Sequence, residues 1–126
     1  MNKRIFKFRG KDVFTDTWRY GDLVHNQKVT TTGLEPRTMV GGYEVDPSTV
    51  GQYTGFKDKN GNEVYEGDIF KLGPIICKVI WREDFGGFYL KEDFSRTPGT
   101  TPLGLMTADL NYKTIGNIFD NKKIKL

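Results

Sequence analysis

The sequence contains only one cysteine, Cys77, and only one histidine, His25. A lone cysteine cannot form a disulfide within the chain, which is typical of proteins in a reducing compartment. One cysteine and one histidine also leave at least two ligands of a zinc site to be found among carboxylates. A Cys77–His25 catalytic dyad is an alternative, but the apolar run IICKV raises the pKa of a thiol and favours a buried, unreactive side chain.

Long hydrophobic runs are also missing. The first ten residues, MNKRIFKFRG, are basic but precede no apolar segment of signal-peptide length, and no stretch approaches the length of a membrane span. We therefore expect a soluble, cytoplasmic protein without a membrane partner.

Familiar catalytic and nucleotide-binding motifs are absent as well. The sequence has no Walker A loop and no GxGxxG. Asp84-Phe85-Gly86 spells the metal-binding triplet of kinases, but the glycine-rich loop and the HRD segment are missing. DKNGNEVYEGDI, residues 58–69, lacks the glycine at position six and the glutamate at position twelve of a calcium loop. We expect no catalytic residues, no metal site and no cofactor.

Glycine and aromatic residues, by contrast, are frequent, at 15 of 126 residues and 13%. Together with short apolar runs, this composition is typical of brief strands joined by tight turns. The length fits one domain, residues 1–126. We predict a mainly β fold, a small single-domain barrel or a strongly bent antiparallel sheet, with IICKVIW as its central strand, buried on both faces.

Three segments are predicted to lie outside the strands. Residues 31–44 carry Gly33, Pro36 and a glycine pair, which indicates a long loop, and this loop is a candidate interaction surface beside the motif region 50–68. Residues 105–111 are predicted to form a short helical turn. Residues 120–126 form a polar tail that we expect to fray.

The N-terminal region is basic: residues 1–30 hold seven basic and three acidic side chains. In RIFKFR, alternation places Phe6 and Phe8 on one face of a strand and Lys7 and Arg9 on the solvent face. A nucleic-acid surface combines such charges with exposed aromatic rings. The candidate residues are Lys3, Arg4, Lys7, Arg9 and Lys11, with Trp18, Tyr20, Tyr53 and Phe56 as stacking platforms. A solvated face that only keeps the protein soluble explains the same charges.

The run at residues 45–70 is the richest in glycine, aspartate and aromatics. Asn60-Gly61 is a strong hairpin-turn signal, because both residues accept positive φ. A second bend is expected at Glu66-Gly67-Asp68. We expect the carboxylate of Asp68 to accept backbone hydrogen bonds and fix this second turn. Turn chemistry does not explain the order Gln52-Tyr53-Thr54. These side chains are candidates for a contact surface or for hydrogen bonds across a sheet.

The same run, VDPSTVGQYTGFKDKNGNEVYEGDIFK, resembles the signature of the YopX family, whose members are encoded largely by phages and prophages. FKFRGKD near the start and TIGNIFDN near the end agree with it, so the resemblance extends from Phe6 to Asn121. Residues 26–42 and 82–113 carry little of the pattern. The matching motif positions are Asp46, Gly51, Gln52, Tyr53, Thr54, Gly55, Asp58, Gly61, Tyr65, Glu66, Gly67 and Asp68.

The resemblance implies a mainly β fold and a phage or prophage origin, and it brings no catalytic residues. The sequence thus predicts a non-catalytic accessory protein that acts through binding or self-assembly. Gln52, Tyr53, Thr54, Glu66 and Asp68 mark its candidate contact surface. A homo-oligomer is expected because edge strands of a small sheet offer unpaired backbone groups. The alternative is a nucleic-acid-binding module that uses the basic N-terminal strand.

Overall fold

The computed structural model of the chain describes residues 5–72, 75–92, 100–102 and 114–120. Every regular element in these ranges is a β-strand, which confirms the mainly β fold. Backbone contacts divide the chain into two compact units, Met1–Tyr53 and Thr54–Leu126. These are the N-terminal and C-terminal units.

The N-terminal unit is an antiparallel sheet with the strand order β2-β1-β5-β4-β3. Its strands are β1 (Phe8–Asp12), β2 (Trp18–Gly21), β3 (Leu23–Thr30), β4 (Gly33–Val40) and β5 (Tyr43–Lys57). The last residues of β5 belong to the C-terminal unit. Val40 and Val45 are fully buried in this sheet.

A wide bulge interrupts the pairing of β1 with β5. Arg9 pairs with Gly51 and Lys11 with Asp46, so residues 47–50 of β5 lie opposite the single residue Gly10. The Asp46 carboxylate accepts a hydrogen bond from the backbone N–H of Ser48 at 3.0 Å, which makes the local turn of an aspartate. This turn holds the extra residues and leaves room for Pro47, which has no N–H to give to a ladder.

The C-terminal unit contains a second antiparallel sheet with the order β10-β9-β8-β7-β11, and a short strand, β6, that pairs with β5. The strands are β6 (Glu63–Tyr65), β7 (Asp68–Leu72), β8 (Ile75–Arg82), β9 (Gly87–Glu92), β10 (Thr100–Pro102) and β11 (Thr114–Asn117). The core residues of this unit are Val64, Phe70, Cys77, Val79 and Leu90, with Phe88 packed against them.

The segment IICKVIW is the central strand β8, as predicted, but the prediction that both faces are buried is wrong. Cys77 and Val79 point to the buried face, whereas Lys78 and Ile80 on the other face are half-buried. An antiparallel sheet needs only one packed face. Lys78 in the middle of this run already indicates that one face of the strand is polar. The many apolar residues around it favour the opposite interpretation, a strand buried on both faces.

The predicted long loop at residues 31–44 is a second correction. Gly33–Val40 is strand β4, paired along its whole length with β3. Gly41 and Gly42, with φ of +60° and +87°, form the tight turn between β4 and β5. Gly33, with a φ of +130°, directly follows the tight turn between β3 and β4. Pro36 fits within β4 because its nitrogen lies on the edge that faces away from β3. At that point β5 no longer pairs with β4, so no strand on that edge requires an N–H donor.

Two further predictions fall outside the described residues, namely the helical turn at 105–111 and all of the polar tail after Asp120. Among the elements that are described, none is a helix long and apolar enough to cross a membrane.

Candidate functional site

A buried polar cluster of the family motif lies at the turn between β5 and β6. The Asp58 side chain is buried, and its Oδ1 accepts hydrogen bonds from the backbone N–H groups of Asn60 and Asn62, each at 2.9 Å. Its Oδ2 accepts a third from the N–H of Thr114, at the start of β11, at 3.1 Å. Gly61 has a φ of +81°, as the Asn60-Gly61 signal predicts. Asp58 thus fastens the hairpin turn to a strand far along the chain.

Burial and hydrogen bonding act in opposite directions on Asp58. Burial alone raises the pKa of this carboxyl, because it penalises the charged form. The N–H groups of Thr114, Asn62 and Asn60 outweigh burial and hold the pKa below its usual value of 3.8. The carboxylate is therefore ionised at neutral pH, with its oxygens directed to backbone donors rather than to open space.

The turn between β6 and β7 is built in the same way. Asp68 is 2% exposed, and its Oδ2 accepts a hydrogen bond from the backbone N–H of Tyr65 at 2.8 Å. This confirms the predicted structural role of Asp68. Gly67, with a φ of +93°, donates its N–H to the carbonyl of Val79 and accepts from the N–H of Ile118, both at 2.9 Å. Glu66 lies half-buried in this turn.

The three residues Gln52-Tyr53-Thr54 occupy different environments. Tyr53 is buried, and the ammonium of Lys7 lies 5.5 Å from the centre of its ring. The hydroxyl of Thr54 donates to the carbonyl of Val64 at 2.8 Å, which is the cross-strand hydrogen bond considered as one alternative. Gln52 is half-buried opposite Phe8. Tyr53 and Thr54 therefore act in packing and in strand pairing.

Of the basic candidates near the N-terminus, Arg9 and Lys11 lie on one face of β1, and Lys7 directly precedes this strand. Lys7, Arg9 and Lys11 alternate along the chain, and Lys11 and Arg9 are paired with Trp18 and Tyr20 of β2. The Arg9 guanidinium lies 4.6 Å from the ring centre of Trp18, and the Lys11 ammonium lies 5.4 Å from it. The remaining two candidates, Lys3 and Arg4, are outside the described residues.

The prediction that Arg9 faces solvent is wrong, because this residue is only 5% exposed. The residue assigned to the inner face, Phe6, is 60% exposed. Alternation separates the two faces of a strand, but it does not tell which face is covered. Here the aromatic ring on β2 lies on the same face as the cations.

The candidate interaction surface at residues 31–44 belongs largely to the hairpin formed by β3 and β4. Val29 and Leu34 lie opposite one another beside its turn and are 84% and 63% exposed. The sequence carried a signal for this hairpin, because Thr31-Thr32 lies between two stretches that contain strand-forming residues, 23–30 and 33–40. Gly33 and Pro36 are typical of loops, so the composition of β4 favours a loop over a strand.

A cavity of about 260 Å³ lies at the base of this hairpin, within the N-terminal unit. Among its lining residues are Val13, His25, Pro36, Thr38, Val45 and Pro47. Two charged lining residues are already bound: Glu44 forms an ion pair with Lys28 at 3.0 Å, and Arg37 donates to Asn26 at 2.6 Å. The wall that remains is mainly apolar and carries the exposed His25.

Cys77 lies in the core of the C-terminal unit, 5% exposed and packed with Val64, Phe70, Val79 and Leu90. An aliphatic and aromatic setting of this kind is typical of a structural cysteine. It offers no neighbouring base among the residues of that core cluster.

Comparison with known proteins agrees with the family resemblance. A family model described as YopX protein matches residues 7–124. The crystal structure of protein EF1440 from Enterococcus faecalis is similar in fold, with a TM-score of 0.57 and 21% sequence identity over 97% of this chain and 99% of that one. No curated protein matches the chain.

Proposed function

Because the chain belongs to the YopX family, we propose that it is a non-catalytic accessory protein of a phage or prophage that acts through binding or self-assembly. The association of this family with phages and prophages supports the origin. The burial of Cys77 and the engagement of Asp58 and Asp68 by backbone N–H groups support a non-catalytic role, because these side chains are used in structure.

The observation that carries the proposal is the exposed apolar tip of the β3–β4 hairpin. Val29 and Leu34 are paired side by side, and both present most of their surface to solvent. Beyond Thr38–Val40, β4 is not paired with β5, so no third strand pairs with the tip of the hairpin. Clustered apolar side chains on such an element are typical of contact surfaces.

The test is the mass of the protein in solution, measured by light scattering after size exclusion over a hundredfold range of concentration. The wild type is expected to exceed the 14.4 kDa of one chain at high concentration. Val29→Asp with Leu34→Asp is expected to give the mass of one chain. Phe85→Asp is the matched control, because Phe85 is also 63% exposed but lies in the C-terminal unit.

Two results would contradict self-assembly through this hairpin. One is a wild type that keeps the mass of a single chain at every concentration. The other is an oligomer that the hairpin variant forms as well as the wild type does.

The second candidate function is nucleic-acid binding by the face of β1 and β2. The observation in its favour is that Lys7 and Lys11 share this face with Trp18 and with Tyr20, which is 51% exposed. Two observations argue against a strong nucleic-acid site. Arg9 is buried, and the Asp16 carboxylate lies 3.7 Å from the Lys11 ammonium.

Fluorescence anisotropy of labelled single- and double-stranded DNA at two salt concentrations tests this function. Lys7→Glu with Lys11→Glu is expected to weaken binding, and the affinity of the wild type should fall with salt as contacts to phosphate are lost. Lys57→Glu with Lys59→Glu makes the same charge change at two exposed positions and serves as the control. Equal loss in both variants would show that only the net charge matters. Absence of binding at low salt would end the proposal for DNA.

A further inference from the structure

The outer edge of β3 is the longest free strand edge among the described residues. In the N-terminal unit β3 pairs only with β4, over eight residues, and the other edge strand, β2, has four. The edge strands of the C-terminal sheet, β10 and β11, have three and four. Short strands blunt an edge, whereas a long one offers a template for another strand.

Proline and unpaired charge, the usual protections of an edge, are missing from β3. Its sequence, LVHNQKVT, has no proline, and its one lysine, Lys28, is bound to Glu44. The partner strand shows the contrast. In β4 the segment that β5 does not cover carries Pro36, which removes a donor from that edge. One edge of the hairpin is protected, and the other is open.

The turn fixes which backbone groups point outward. Thr30 and Gly33 are the last pair before a two-residue turn, so they form a hydrogen-bonded pair. Hydrogen-bonded pairs recur at every second residue, so Lys28, Asn26 and Val24 direct their backbone groups to β4. The outward N–H and C=O groups belong to the alternate residues Leu23, His25, Gln27 and Val29.

We propose that β3 pairs with β3 of a second copy of this chain, antiparallel and in one register, with the two-fold axis at Asn26. This inference rests on the proposed function, since it names the partner of the same hairpin. In this register His25 pairs with Gln27 of the other copy, and Leu23 pairs with Val29. The outward groups then form four hydrogen-bonded pairs, with about eight backbone hydrogen bonds.

Neighbouring registers satisfy fewer groups. In a continuous sheet, opposite residues direct their side chains to the same face. The register can therefore shift only by two residues at a time, which moves the two-fold axis by one residue. An axis at His25 or at Gln27 leaves about six backbone hydrogen bonds. It also separates Leu23 from Val29. The axis at Asn26 therefore combines the most hydrogen bonds with two apolar cross-strand pairs.

The side chains of the other face agree with this arrangement. Val24, which is 47% exposed, lies opposite the stem of Lys28 of the second copy, and Asn26 lies opposite itself. No two charges of the same sign are opposed. The chemistry of the edge is therefore complementary to its own two-fold image, which is the requirement for an interface between identical chains.

Disulfide trapping tests the register directly. Asn26→Cys places a thiol on the axis, where opposite Cα atoms lie about 4.5 Å apart, within the range that a disulfide spans. Val24→Cys is the matched control, because it is exposed on the same face but lies about 14 Å from its own copy. Under mild oxidation, Asn26→Cys is expected to form a covalent dimer of the full chain at least tenfold faster than Val24→Cys. The wild type reports any contribution from the buried Cys77.

A mixture of Val24→Cys with Lys28→Cys is expected to form the cross-linked heterodimer, because these positions face one another across the axis. A second variant, Gln27→Pro, removes an outward donor without breaking a hydrogen bond to β4, since residue 27 lies opposite Pro36 in a non-hydrogen-bonded pair. It is expected to raise the dissociation constant of the dimer at least tenfold while the circular dichroism spectrum is unchanged.

The outcomes separate this inference from the proposed function. An oligomer in light scattering, with Asn26→Cys oxidising no faster than Val24→Cys, overturns the register and leaves self-assembly standing. A single-chain mass together with no cross-linking overturns both. Rapid cross-linking of Asn26→Cys with dissociation by Gln27→Pro supports both.

Discussion

The β3–β4 hairpin and the β5–β6 hairpin differ in how their turns are held. The β5–β6 turn is closed by the buried Asp58 carboxylate, which also binds the start of β11. The β3–β4 turn has only the exposed hydroxyl of Thr30, which donates to the carbonyl of Gly33 at 3.0 Å and accepts from the N–H of Thr32 at 3.3 Å. One hairpin is fixed by the fold around it, and the other is held by its own two strands.

The difference follows the family pattern. Asp58 and Asp68 lie in the run that carries the resemblance to the YopX signature, and both carboxylates accept hydrogen bonds from backbone N–H groups of their own unit. The β3–β4 hairpin, residues 23–40, lies outside that run. The motif carboxylates are used within the fold, whereas the contact surface proposed above lies on the exposed hairpin.

The largest effect is expected from Asp58→Ala. It leaves the backbone N–H groups of Asn60, Asn62 and Thr114 without their carboxylate, at a cost of about 3 kcal/mol in the free energy of unfolding. Urea denaturation followed by tryptophan fluorescence measures it. A loss below 1 kcal/mol would mean that water replaces the carboxylate and that the turn is not fastened from within.

Gly10→Ala tests the bulge that the motif residues of β5 make opposite β1. A Cβ at Gly10 would lie 2.8 Å from Cγ2 of Val45, so we expect a loss of about 2 kcal/mol from overpacking. With Val45→Ala in the same chain, the total loss should be smaller than the sum of the two single losses, because the smaller side chain makes room for the new methyl group. Gly87→Ala is the control, because its Cβ would meet only Tyr89 at an ordinary 3.6 Å. Equal losses in the two variants would show that the contact with Val45 is not the cause.

Acid should act on the Asp58 turn selectively. The pKa of this carboxyl is lower in the folded state than its usual 3.8. Its contribution to stability is therefore complete above that value and is lost as the pH falls through the folded pKa. The free energy of unfolding should decrease from about pH 4 downward, and Asp58→Asn should show a shallower decrease. Asp12, whose pKa is lowered chiefly by the N–H of Phe14, keeps part of the slope in the variant. Identical slopes would exclude Asp58 as a source of the acid sensitivity.

The smallest effect is expected at the open hairpin. Thr32→Ala removes only exposed groups, so the free energy of unfolding should change by less than about 0.5 kcal/mol. The same urea titration measures it beside Asp58→Ala. A change as large as that of Asp58→Ala would remove the distinction between the two hairpins.

The sequence by itself determined the class of the fold, the turn at Asn60-Gly61, the role of Asp68 and the central position of β8. Each of these depends on local chemistry: positive φ at glycine, a carboxylate beside free N–H groups, or a run of β-branched residues. Only the tertiary structure decided that Arg9 is covered and that Asp58 binds Thr114. These features depend on which strand lies alongside, and strand pairing joins residues too far apart in the chain for any local pattern to record.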